Sequence, residues 1–148
     1  MPSRWGWPVT AASQRLLIGL AGGTFEARRA ISAFLMRPDI GLVEVLPLSL
    51  SDFSPASEFV RARALSAALE HRPRRRDPGL LHPHVLSEAE SQALRAAGGF
   101  VWHLARPLSS VVRIQRGDLL VTDRFGELSE HLDPEEALCE VLLNRRPH

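Results

Sequence analysis

Gly22, Gly23, Thr24, Arg28 and Arg29 are the residues of this 148-residue chain whose types and spacing come nearest to chemistry. They follow an apolar run, Arg15-Leu16-Leu17-Ile18-Gly19-Leu20-Ala21, and lead into a helical pattern. Strand, glycine turn and helix is the order of a phosphate-binding loop, G-x-x-x-x-G-K-[ST]. In that loop backbone N–H groups curl around phosphates, a lysine reaches the terminal ones and a hydroxyl holds Mg²⁺. Here Ala27, Arg28 and Arg29 stand where Gly, Lys and Ser/Thr belong, and the chain contains no lysine at all. A retained phosphate site would use the backbone of Gly22, Gly23 and Thr24 with Arg28 and Arg29, since helix N-termini attract anions. Glu26 opposes a triphosphate there. The bland alternative is a tight strand-to-helix turn.

Four further groups carry chemistry-bearing side chains. Arg72, Arg74, Arg75 and Arg76 could close over phosphates like a lid or touch a nucleic-acid backbone, and a solvated loop containing two prolines is the simpler reading. His82 and His84 form an H-x-H pair whose rings would share one strand face, as metal ligands can. No third ligand has matching spacing, so they read as strand-end histidines and no metal is expected. Asp118 and Asp123 flank a short strand, and Asp123 stands at its carboxyl end, where α/β folds place functional groups; a turn-forming aspartate is the plainer reading. Cys139 lies on the apolar side of a helical pattern and reads as a buried reduced thiol. No serine sits in a nucleophile elbow, which removes support for a hydrolase.

The elements that must position these residues alternate. After the strand at Arg15–Ala21, expected to be central, Ile31, Phe34 and Leu35 mark a helix over Arg28–Met36 that Arg37-Pro38 ends. A second strand fits Gly41–Leu46. A helix fits Ser54–Glu70, with Phe59, Val60, Ala64, Leu65 and Leu69 as its apolar stripe. Leu80–Leu86 reads as a strand. Ser87 caps a helix with Glu90 at the capping-box position, Gly98-Gly99 ends it, and Phe100–Leu104 follows as a strand. Asp118–Thr122 completes the strands, and a last helix spans Leu128–Leu143 with an interruption at Asp133-Pro134. Such alternation predicts an α/β three-layer sandwich with a mostly parallel sheet. Residues 1–12 form an irregular leader carrying Trp5 and Trp7, and 13–148 a single domain.

Composition sets the outer bounds. A net charge of +1 gives no global drive toward nucleic acid or anionic membranes, so any such binding needs a local patch. A single cysteine excludes an internal disulfide. No apolar run is long enough to span a bilayer and no signal-like segment opens the chain, so no membrane partner and a cytoplasmic location are expected.

Three segments in order resemble the phage-type deoxynucleoside monophosphate kinases, a P-loop kinase group. The first is the altered glycine loop. The second, Ser87-Glu88-Ala89-Glu90-Ser91-Gln92-Ala93-Leu94-Arg95-Ala96-Ala97-Gly98-Gly99-Phe100-Val101-Trp102-His103-Leu104-Ala105-Arg106-Pro107, is similar to that family's N-E-A-E-x-I-R-x-x-G-G-x-V-x-x-I-x-R-P. The third, Asp118–Asp123 with Gly126-Glu127-Leu128, resembles its closing strand and N-D-G-T-L turn. The departures fall on charged groups: Pro83-His84-Val85-Leu86 stands where the family has D-V-R-F. The resemblance implies a P-loop kinase-like fold. The joint loss of Lys, Ser/Thr, Asp and Arg implies that most of the capacity for phosphoryl transfer, which rests on positioning and charge stabilisation, is removed. The expected function is then binding, of a protein partner or of a nucleotide or phosphate, with no confident catalytic residue or cofactor. The rival is a divergent active kinase using ATP and Mg²⁺, with Arg28 for the lysine and Asp123 as carboxylate near Gly22. A third reading is a nucleic-acid accessory protein using Arg72–Arg76.

Overall fold

The computed structural model describes residues 16–45, 58–71, 79–124 and 131–144. The leader, the Arg72–Arg76 cluster and the Gly126-Glu127-Leu128 turn lie outside the described residues. The elements in chain order are β1 (Leu16–Gly22), α1 (Phe25–Leu35), β2 (Val43–Glu44), α2 (Glu58–His71), β3 (Gly79–Val85), α3 (Glu88–Ala96), β4 (Phe100–Leu104), β5 (Leu119–Val121) and α4 (Pro134–Asn144). All strand pairings are parallel, in the order β2-β3-β1-β4-β5, so β1 is the central strand.

Side chains alternate along β1, and this divides the core in two. Leu16, Ile18 and Leu20 of β1 join Trp102, Leu81 and Val121 under α1 and α4, through Ile31, Phe34, Leu35, Ala137, Leu138 and Val141. Leu17 and Ala21 join Leu80, Val85 and Val101 under α2 and α3, through Leu65 and Leu94. The chain is thus an α/β sandwich of three layers. Its central strand is apolar on both faces, as a covered parallel sheet requires.

Several element bounds differ from those the sequence predicts. α1 starts at Phe25 rather than Arg28, because the Thr24 hydroxyl accepts from the Ala27 N–H at 3.0 Å and caps the helix there. The stripe assigned to α2 holds in part: Leu65 is fully buried and Ala64 and Leu69 pack against the same core, but Phe59 and Val60 are 78% and 68% exposed. Arg61, four residues before Leu65, takes the buried face instead. Proline 134 opens α4 rather than interrupting it. The Asp133 carboxylate accepts from the Glu136 N–H, and the Glu136 carboxylate from the Asp133 N–H, a reciprocal capping box with Pro at the first helical position. Cys139 is exposed, which corrects the expectation of a buried thiol. Its neighbours Leu138 and Val141 hold the core face of α4.

Candidate functional site at the carboxyl end of the central strand

Only Gly23 and Thr24 separate β1 from α1. Gly22 and Gly23 both take the left-handed conformation, with φ of +75° and +66°. A Cβ at Gly22 would lie 2.8 Å from the Ser109 nitrogen and 2.9 Å from the Leu104 carbonyl oxygen, and one at Gly23 would meet the Leu104 side chain at 2.7 Å. Close approach here is between this turn and the β4–β5 loop. The Gly23 N–H donates to the Pro107 carbonyl at 2.6 Å. The stretch Phe25–Arg29, which in the motif would continue the loop, forms the first turns of α1, and Glu26 stands in the first of them, where the helix dipole favours a negative charge.

Arg28 is buried and folds back over the turn. Its Nη1 donates to the carbonyls of Gly22 at 2.7 Å and Gly23 at 3.2 Å, and its Nε donates to His84 Nδ1 at 2.9 Å. Three neutral acceptors thus hold the guanidinium through its Nε and Nη1. Arg29 is exposed, its guanidinium 5.8 Å above the Phe25 ring, and Phe25 stacks on His84 with centroids 4.8 Å apart. Burial first, and then the charge of Arg28, lower the His84 pKa to about 4, so this imidazole is neutral and its Nδ1 is free to accept.

His82 and His84 do not share a face. Gly19 pairs with His82 and Ala21 with Val85, so β3 carries one more residue than β1 over this stretch. Pro83, which has no N–H for the ladder, stands in that irregularity. His82 bonds to α3, where its Nε2 meets Glu90 Oε1 at 2.9 Å; His84 bonds to α1 in the opposite layer. Glu90 is the hub of a second buried network. Its Oε1 also accepts from Arg61 Nη2 at 2.8 Å, and its Oε2 from Ser87 Oγ at 2.7 Å and the Leu86 N–H at 3.1 Å. The same Arg61 nitrogen reaches the His84 carbonyl at 3.0 Å. Burial alone would raise the Glu90 pKa, but the hydrogen bonds from His82, Arg61 and Ser87 outweigh it and bring it to about 2.

A third network holds the β4–β5 loop. Asp118 Oδ2 accepts from Arg95 Nη2 at 2.6 Å, from His103 Nε2 at 2.7 Å and from the Gln115 N–H at 2.9 Å. Burial opposes ionisation of Asp118, and the Arg95, Gln115 and His103 hydrogen bonds still leave its pKa below the usual carboxylate value. Glu88 Oε2 accepts the Arg113 N–H, and Arg95 Nη2 donates to the Arg113 carbonyl.

Of the residues singled out in sequence, the structure brings together Gly22, Gly23, Arg28 and His84. It gives Thr24 to a helix cap and places Arg29 at the surface. Asp123 is exposed at the end of the edge strand β5, and β4 stands between that strand and β1. Arg61, His103 and the Arg95–Asp118 pair escape sequence reasoning. The signal for Arg61 was its spacing of four from Leu65. Comparison with family models, with curated proteins and with solved structures returns no match.

Proposed function

We propose that this chain is a non-catalytic relative of the P-loop nucleotide kinases that acts by binding a protein partner. The observation that carries the reading is the placement of Arg28. The group standing at the motif's lysine position is held by Gly22, Gly23 and His84, and it points its charge into the turn rather than out of it.

The residues of the turn do not fit a nucleoside triphosphate with its magnesium. The Gly23 N–H is taken by Pro107, the Thr24 hydroxyl by Ala27, and no hydroxyl stands at position 29 to hold the ion. Phosphoryl transfer would need donors aimed at the developing charge. The backbone approach that glycines permit is used here by the β4–β5 loop, so the glycine turn serves as a packing joint.

Isothermal titration with each dNMP, with ATP and with Mg²⁺ is expected to show no saturable heat. Conversion of any dNMP to its diphosphate, lost on Arg28→Ala, would overturn the reading and favour the divergent active kinase.

A further inference from the structure

The β4–β5 loop, residues 105–117, combines two features. It carries Arg106, Arg113 and Arg116 and no acidic residue, a local charge of +3 in a chain whose total is +1, so the remainder is −2. It also exposes Leu108, Val111 and Ile114, at 46%, 56% and 50%. The arginines elsewhere near the sheet are spent: Arg28 on the glycine turn, Arg61 on Glu90, Arg95 on Asp118. Among the described residues no hydrogen bond or ion pair engages the guanidinium groups of Arg106, Arg113 or Arg116.

The loop is held in shape from beneath. Ser109 Oγ accepts from the N–H groups of Val111 and Val112, Val112 is buried in the core beside Leu94, and Glu88 and Arg95 grip the backbone of Arg113 on both sides. At its start it packs on the glycine turn, through Pro107 and Ser109, at the carboxyl end of the central strand. A preformed aliphatic surface with unpaired cations needs less ordering on association.

We propose that this loop is a docking surface for an acidic protein segment bearing aliphatic side chains. The proposal rests on the non-catalytic binding reading above and names the surface and the partner's chemistry. Charge complementarity selects the occupant: carboxylates would pair the three arginines bidentately, and aliphatic groups would cover Leu108, Val111 and Ile114. A second copy of the chain would set arginine against arginine. Single-stranded nucleic acid is held on aromatic platforms, and the loop has no aromatic residue. Interfacial membrane binding uses an amphipathic helix, and this loop is non-helical.

A random peptide library displayed on phage is panned against the immobilised full chain, with the Arg106→Glu/Arg113→Glu/Arg116→Glu variant as counter-target. Enriched peptides are expected to place Asp or Glu beside Leu, Ile or Val. They should bind the native chain at least about tenfold more tightly than the variant, weaken with salt, and shift backbone amide resonances of residues 105–117. If circular dichroism shows the triple variant unfolded, Arg106→Gln/Arg116→Gln serves in its place. The proposal is overturned if no peptide is enriched, if the enriched peptides lack acidic residues, or if they bind the variant equally well. Phosphatidylserine vesicles or single-stranded DNA bound in the absence of an enriched acidic peptide also overturn it. Turnover of a dNMP would overturn the non-catalytic reading and leave the peptide result standing; failed panning would do the reverse.

Discussion

Arg28 Nε donates to His84 Nδ1 at 2.9 Å across 56 positions of sequence, tying the N-terminal part of α1 to the carboxyl end of β3. The bond requires an unprotonated Nδ1, and burial together with the arginine's own charge keeps it so. Cation, imidazole and glycine turn therefore form one structural unit.

Arg28 is expected to matter for stability. Arg28→Ala leaves the Gly22 and Gly23 carbonyls and His84 Nδ1 without their donor, and should cost about 2 to 4 kcal/mol in urea unfolding. Arg28→Lys should also destabilise, because an ammonium cannot reproduce the fork that reaches three acceptors. Unchanged unfolding midpoints combined with newly gained ATP binding would assign Arg28 to a ligand.

Acid should weaken the fold in two separable windows. His84 drops from an ordinary 6.5 to about 4, so both states are neutral above the upper value. Between the two the unfolded chain takes up a proton that the folded chain refuses, and stability falls. Glu90 drops from 4.5 to about 2; its contribution is complete above the upper value and is lost as pH falls through the lower. Each step should be of the order of 3 kcal/mol. His84→Asn, whose side-chain oxygen can still accept from Arg28, should remove the upper step alone. Urea midpoints across the acid range measure both.

Gly22 and Gly98 separate strain from crowding. Both have positive φ, but a Cβ on Gly98 meets nothing within 4 Å, while one on Gly22 meets backbone of the β4–β5 loop. Gly98→Ala should cost about 1 to 2 kcal/mol for the left-handed backbone alone. Gly22→Ala should cost at least about 2 kcal/mol more, since backbone cannot yield as a side chain does. Equal losses would mean that the loop does not pack on the turn.

The faces of α2 can be told apart by two truncations. Leu65→Ala should destabilise by about 2 to 5 kcal/mol, and Phe59→Ser should stay within about 0.5 kcal/mol. Thermal unfolding of the two variants is the measurement; a larger loss at Phe59 would restore the stripe predicted from sequence.

Legibility in sequence followed the range of the interaction. The Ser87 cap, with its hydroxyl accepting from the Glu90 N–H, follows from residues three apart, as does the glycine end of α3. The same Glu90 is also the buried hub for Arg61 and His82, which no local pattern announces. Phe59 and Val60 misled because a helix rich in alanine leaves the direction of its core face weakly specified, and the neighbouring layer decided it. The H-x-H pair misled because period-two alternation fails where Pro83 interrupts the ladder.

By itself the sequence determined the α/β alternation, the central place of β1 and the caps of α3, because period and capping chemistry act over a few residues. Only the tertiary structure decided what Arg28 does. Its acceptors on the turn are near in sequence, but the imidazole that completes the set and the loop that closes the turn arrive from β3 and beyond β4, and pairing across such distances is settled by packing.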